Sequence, residues 1–400
     1  MSKHYPLSKG DFDERVRKIR NMMKERRLDA LVIFSNSSAL GPGTSTHGYI
    51  RYVCNWTSAL LPSLLILPGD GDPTLLVPMG PDVPHAKELT GFTDVKLRAP
   101  GGYGMEAAET LHRLNLNGGV IGLVGIDEMP ASISRDLLKR LPKGGMVNAD
   151  DILDELRMVK SEKEIRLMRE AARISDAMIE ALVKDARDGE WAYKAMANME
   201  HAAKREGAEY ASTWIISEPI SEGRVGFTPA EAWKKMELGD QILAGTFLIK
   251  GGYYSHQIRT GVRGKPPREV ERVFDVCLEA QDAGIDAMKP GAYVSDVDTA
   301  MEGVIQRNYP SGAGKLRFRS GHPIGLDYSE KPASNCFPQF WLGERIPPVP
   351  QVEIRPGMVL ELHPNLFPPG KGGAAIGDVC VVRNKGVELL HKFPRELFRV

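Results

Sequence analysis

The chain predicts an α/β domain over residues 1–155 and a second, α+β domain over 156–400. Two observations carry that division. Strand-like and helix-like runs alternate through the first 150 residues, and near 150 they give way to acidic caps and one long amphipathic helix. A length of 400 residues suits two such units, each large enough to bury its own core.

The elements follow in chain order. Residues 11–28 place Phe12, Val16, Ile19, Met22 and Met23 at helical spacing among charges. LDALVIF (28–34) reads as a buried strand. PSLLIL (62–67) and TLLVP (74–78) read as a strand pair around the GDGD turn of 69–72. Residues 105–116 look helical and 118–125 strand-like. Loop 41–56, GPGTSTHGYIRYVCNW, carries no regular period. The long helix starts near Ser161, with Glu164 at the capping-box offset, and a second helix covers 190–206. Strand-like runs at 211–217 and 241–249 precede a Gly-Gly turn at 251–252 and GYYSHQIRTGVRG. A helix over 266–288 stops at Lys289-Pro290-Gly291, and another covers about 295–308. The last 80 residues alternate short strands with Pro/Gly loops.

Lys+Arg and Asp+Glu are both 52, so the formal net charge is zero. That excludes binding nucleic acid or an anionic membrane by bulk charge. No run of about 18 apolar residues indicates a membrane-spanning helix. The first 20 residues lack the apolar stretch of a signal peptide. Cys54, Cys277, Cys336 and Cys380 form no CxxC pair, read as core residues, and fit a reducing cytoplasm.

Five blocks then stand in order: LRMVKSEKEIRLMREAARISDAM, GGYYSHQIRTGVRGKP with LEAQDAGIDAMKPGAYVSDVDTAM, SGHPIGLDYSEKP, EIRPGMVLELHPNLF and GGAAIGDVCVVRNKGVELL. Their order and spacing resemble the creatinase/prolidase/aminopeptidase-P (M24) superfamily. That resemblance implies a creatinase N-terminal-like domain followed by a pita-bread catalytic domain, and a homodimer. In its metallopeptidases, Asp, Asp, His, Glu and Glu hold two divalent ions that activate a water. Carried over residue by residue, those five positions are Gly245, His256, His322, His363 and Gly377. The chain therefore departs from the usual dinuclear set, which argues against an ordinary aminopeptidase or prolidase.

The departures have a pattern. The chain has nine histidines, so two ligand replacements both becoming His is roughly a one-in-two-thousand coincidence by composition. Three imidazoles converging from His256, His322 and His363 suit one transition ion, iron or zinc among them, with an open position for water or substrate. A metal-free site using His as acid/base is the alternative, since creatinase uses this fold without metal. Here the creatinase histidine falls near Phe227-Thr228, its ERT carboxylate is Ile258 and its N-domain Arg is Leu61, so creatine does not fit as substrate. The second histidine of the family's peptidases is Ser329, which weakens a peptide-hydrolysis reading.

Glu361 lies two residues before His363; on a strand the two share a face, which makes Glu361 the candidate base. Asp378 is the candidate partner that orients an imidazole. Candidate substrate contacts are Arg259, Tyr254, Asp327, Tyr328 and Phe227. Tyr253, Tyr254, Trp214, Phe227 and Trp341 could wall an apolar pocket or form core. In family dimers the N-terminal domain closes over the neighbour's site, which makes His47, Tyr49, Arg51 and Trp56 candidate contacts in trans.

The expected function is hydrolysis of a C–N bond in a small nitrogenous or carboxylated metabolite. His256, His322 and His363 would hold one ion that activates water, with Glu361 as base. The alternatives are oxygen-dependent cleavage or a lyase step at three-His iron, and a non-enzymatic binding module. The expected partners are a small-molecule substrate and a second copy of the chain, with no nucleic acid and no membrane.

Overall fold

The computed structural model describes residues 6–141, 145–220, 233–310, 317–341, 344–346, 351–368 and 370–400. The chain divides into two compact units. The first comprises Met1–Arg157 together with Leu326–Tyr328; the second comprises Met158–Gly325 and Ser329–Val400.

The first unit is built on a six-stranded mixed sheet. Its spatial order is Asp94–Leu97, Thr74–Val77, Ser63–Pro68, Ala30–Ser35, Val120–Val124 and Gly145–Asn148. Ala30–Ser35 runs antiparallel to Ser63–Pro68 and parallel to Val120–Val124. All six residues of Ala30–Ser35 are buried, as in a strand covered on both faces. Ala30, Val32 and Phe34 meet Ala107 and Leu111 of helix Tyr103–Arg113, and Ile133 and Leu137 of helix Ala131–Arg140. The 69–72 turn joins an antiparallel pair in which Leu64 faces Leu76.

One segment departs from the loop expected at 41–56. Gly48–Cys54 is a helix whose seven residues are all buried. Its run of Tyr, Ile, Tyr and Val favours strands, and uniform burial leaves no polar face to give a helical period.

The second unit carries two four-stranded sheets. The first runs Phe398–Arg399, Tyr253–Val262, Asp240–Lys250, Tyr210–Pro219; the second runs Gly321–Pro323, Val359–Leu362, Asp378–Val382, Val387–Leu389. The long helix Glu162–Asp188 opens on the expected capping box. Ser161 Oγ accepts from the Glu164 amide, and the Glu164 carboxylate accepts from the Ser161 amide at 2.8 Å. Ile174, Met178 and Leu182 of that helix, with Ala195 and Met199 of helix Ala192–Arg205, cover the sheet face that carries Ile242, Ala244 and Leu248. Period two then turns Leu243, Gly245, Phe247, His256 and Ile258 to the opposite face. Helices Arg268–Ala287 and Val294–Asn308 pack against the second sheet through Val273, Cys277, Ala280, Met301, Leu360, Leu362 and Cys380. An Ile258–Gly377 bridge links the segments bearing His256 and Asp378. All four cysteines are buried, and none forms a disulfide among the described residues. Among the described residues no helix is long and apolar enough to cross a membrane.

Candidate active site in the second unit

His256 stands on strand Tyr253–Val262, His322 on Gly321–Pro323 and Glu361 on Val359–Leu362, with His363 directly after it. His322 lies opposite Glu361 in the antiparallel ladder, so the two side chains share a face. Three segments thereby gather three imidazoles. Ring centroids are 6.2 Å apart for His256 and His322, 5.9 Å for His256 and His363, and 5.3 Å for His322 and His363. The three histidines and Glu361 are each at most 2% exposed as whole residues.

The Glu361 carboxylate is the hub. It lies 2.6 Å from Nδ1 of His256, 2.9 Å from Nε2 of His322 and 4.0 Å from Nε2 of His363. Nδ1 of His322 is 3.0 Å from the Pro323 carbonyl. A carbonyl only accepts, so Nδ1 is the donor and Nε2 of the neutral ring turns its lone pair toward Glu361. Two acceptors that close require a proton or a cation at their meeting point. Among the described residues neither buried ring nitrogen of His363 has a hydrogen-bond partner. His256, His322 and Glu361 bring donor atoms within 4.8 Å of one another, a set able to hold an ion.

Burial pushes His322 down to about 3, and the Arg319 charge adds to the effect. Burial likewise holds His256 and His363 well below the ordinary imidazole range, with further repulsion between His363 and His256. Burial raises Glu361. The rings are therefore neutral, the form in which imidazole binds a metal.

Aromatic rings border the cluster. Phe247 stacks on His256 at 4.7 Å and 5°, and Phe318 lies 5.5 Å from His363. Neither was singled out in the sequence, although Phe247 is legible once the hairpin register pairs it with His256. Tyr254 is fully buried on the His256 face of its strand and donates its amide to Gly325 at 2.8 Å. Tyr253 instead donates to Glu164 at 2.7 Å, as core. Phe227 lies outside the described residues.

Several expected roles need correction. Arg259 is fully buried and its donors are spent: 2.7 Å to Asp378, and 2.9–3.1 Å to the carbonyls of Ile258, Gly377, Phe393 and Pro394. No donor remains for a substrate carboxylate. Asp378 pairs with Arg259 and His391, not with an imidazole of the cluster. Asp327 belongs to the first unit, where it accepts from the Gly48 amide at 2.9 Å and from Arg157 at 2.5 Å. Tyr328 lies in the same unit, half-buried. His47 and Arg51 are buried within the first unit, His47 against the Leu326 carbonyl at 2.9 Å, rather than presented to a neighbour. Tyr49 and Trp56 are buried there too, held by Asp154 and Ser63.

A mixed-sheet unit followed by a helix-covered pair of sheets around a buried imidazole–carboxylate cluster defines a two-part protein of the pita-bread class. The model of metallopeptidase family M24 matches residues 166–384, and that of the creatinase/prolidase N-terminal domain matches 15–159. The chain belongs to this family. It is 25% identical over 388 residues to an Xaa-Pro dipeptidase of Pyrococcus horikoshii, covering 96% of this chain and 99% of that protein. It is 26% identical over 378 residues to the Xaa-Pro dipeptidase of Pyrococcus furiosus, covering 94% and 100%. The solved structure of the prolidase from P. horikoshii OT3 superposes with a TM-score of 0.78 at 25% identity, over 96% of this chain and 99% of that one.

Proposed function

We propose that the second unit hydrolyses a C–N bond in a small nitrogenous or carboxylated metabolite, at a site for one divalent ion formed by His256, His322 and His363 with Glu361. The observation that carries this reading is the 2.9 Å approach of His322 Nε2 to the Glu361 carboxylate. Two donors bonded at ~2.1 Å to one ion stand about 3.0–3.4 Å apart, close to this separation. The relatives named Xaa-Pro dipeptidase act on a C–N bond, which supports the bond class.

A second ion fits poorly. A Cβ on Gly245 would stand 2.5 Å from the Trp214 indole, and one on Gly377 would stand 2.9 Å from Oε1 of Glu361 and 3.0 Å from the Ile258 side chain. The indole takes the room that a carboxylate-bearing side chain at Gly245 would need, and Ile258 with the Glu361 carboxylate takes it at Gly377. This supports a reading apart from the ordinary dinuclear peptidases.

When bound, the ion supplies Lewis acidity to the scissile carbonyl and to a water. Glu361, raised by burial, takes the proton as the water oxygen adds to the carbonyl carbon. It returns that proton to the nitrogen as the C–N bond breaks. The buried rings exclude bulk water and keep the imidazoles in fixed orientations. A homodimer in the cytoplasm completes the proposal; sedimentation at micromolar concentration checks the dimer.

A second reading has its own observation. His256, His322 and Glu361 form a two-imidazole, one-carboxylate set, which suits iron(II) and oxygen chemistry. Elemental mass spectrometry of untagged protein, beside His256→Ala, tests both. About one zinc per chain, absent from the variant, supports hydrolysis; about one iron, with oxygen uptake, supports the second reading. Protein that neither carries nor accepts an ion would instead leave Glu361 as the protonated donor to His322, in a metal-free acid/base site.

A further inference from the structure

The peptide unit that joins Leu362 to His363 is held at both ends. Its N–H donates to the Ser320 carbonyl at 2.7 Å, and its C=O accepts from Nε2 of Gln281 at 3.0 Å. The next carbonyl, that of His363, accepts from Asn365 Nδ2 at 3.1 Å. Peptide units are planar, so holding the planes on both sides of a Cα sets the direction of its Cα–Cβ bond. His363 depends on this more than the other two histidines do. Nδ1 of His256 meets Glu361 at 2.6 Å, and Nδ1 of His322 meets the Pro323 carbonyl at 3.0 Å. Neither ring nitrogen of His363 has such a partner among the described residues. Its ring is aimed by its backbone.

Gln281 stands on helix Arg268–Ala287 and is fully buried. Its Oε1 accepts from Arg395 Nε at 2.8 Å, which turns the amide nitrogen inward. There Nε2 faces three acceptors: the Leu362 carbonyl, Oδ2 of Asp378 at 3.1 Å and the Ile376 carbonyl at 3.3 Å. The reversed amide would set oxygen against three oxygens, so the network fixes one orientation. Gly284, one turn further on, lets the helix come this close. A Cβ there would stand 2.8 Å from Met301 and 3.2 Å from Leu362.

We propose that Gln281 is a positioning residue, gripping the Leu362 carbonyl so that the His363 imidazole points at the ion. The role toward the ion rests on the one-ion reading above; the hold on the ring does not.

Two measurements on the full-length chain test it. The first reads the ring by magnetic resonance of protein carrying carbon-13 histidine, without added ion. The His363 ring signal is the one absent from His363→Ala, and single variants assign His256 and His322 in the same way. Gln281→Met keeps the side-chain volume and removes the donors. It should shift, broaden or double the His363 signal and leave those of His256 and His322 in place. Displacement of all three signals alike, or of none, would overturn the proposal.

The second follows cobalt(II) binding by its visible absorption. Gln281→Met should weaken binding by about 10- to 100-fold. In the His363→Ala background the same change should alter it by less than about twofold, because the ring it acts through is gone. An equal loss in both backgrounds would overturn the proposal, as would full affinity in Gln281→Met. Arg395→Gln frees only the other end of the amide and serves in case Gln281→Met fails to fold; it should show the same dependence on His363 at smaller size. A parent chain that takes no cobalt sinks the one-ion reading, and the ring signals still decide whether Gln281 positions His363.

Discussion

Arg259 and Asp378 meet at 2.7 Å with at most 1% of either side chain exposed. Burial alone would raise the Asp378 carboxyl, but the Arg259 charge and the His391 hydrogen bond hold it at about 2. The folded value is depressed, so the stability it contributes is fully present above the ordinary value near 4. That contribution is lost as pH falls through about 2, and amounts to about 2 kcal/mol. Asp378→Asn leaves Arg259 buried without its counter-charge and should cost ~3–5 kcal/mol at neutral pH. Urea titrations at pH 7 and between pH 4 and 2 measure both effects; an acid limb as steep in the variant as in the parent would refute the assignment.

Lys160 and Glu330 form a second buried pair at 2.6 Å, each side chain 2% exposed. Removing one partner strands the other. Lys160→Met should lose ~3–5 kcal/mol, and adding Glu330→Leu should recover most of it. Chemical denaturation of the single and double variants gives the coupling directly. Strictly additive losses would show that the two groups do not depend on each other.

The Ser161–Glu164 capping box makes a smaller claim on the same unit. Ser161→Ala should cost about 1 kcal/mol, and Ser161→Gly only a few tenths of that, because glycine frees the backbone and lets water reach the helix end. Urea midpoints with unchanged slopes would report it. Equal losses for the two variants would place the effect outside the cap.

Chelation tests the site without a substrate. An ion present at 100 times its Kd stabilises by about 2.7 kcal/mol. For a unit of this size that corresponds to a thermal shift of roughly 5–10 °C. The parent protein should lose that increment in a chelator and regain it on adding zinc or iron(II). His322→Ala should show no shift with either treatment.

The sequence exposes some of this molecule and hides the rest for identifiable reasons. The strands around 69–72, the capped helix from Ser161 and the stop at Lys289-Pro290-Gly291 carry their signals locally, in period, cap and turn chemistry. His256, His322, His363 and Glu361 stand out because the motif blocks around them align, and the fold gathers all four. The linings do not stand out. Phe247 and Phe318 reach the cluster through tertiary packing, and an aromatic residue in a strand or loop looks the same whether it lines a site or a surface. Arg259 misled for a related reason. An arginine beside a candidate ligand suggests substrate binding until its carbonyl partners, more than 100 residues away in sequence, are visible.

The inclusion of Leu326–Tyr328 in the first unit bears on how that unit is made. Arg157, the last residue of its main segment, finds its carboxylate partner Asp327 170 positions later. At ~5–20 residues per second, a ribosome delivers that partner roughly 10–30 s after Arg157 itself. During that interval the nascent first unit has its six strands, and Arg157 has Asp154 at 2.9 Å but not yet Asp327 as a counter-charge. Its completion is thus timed by synthesis of most of the second unit, and the two halves of the gene product mature as an interleaved pair rather than in succession.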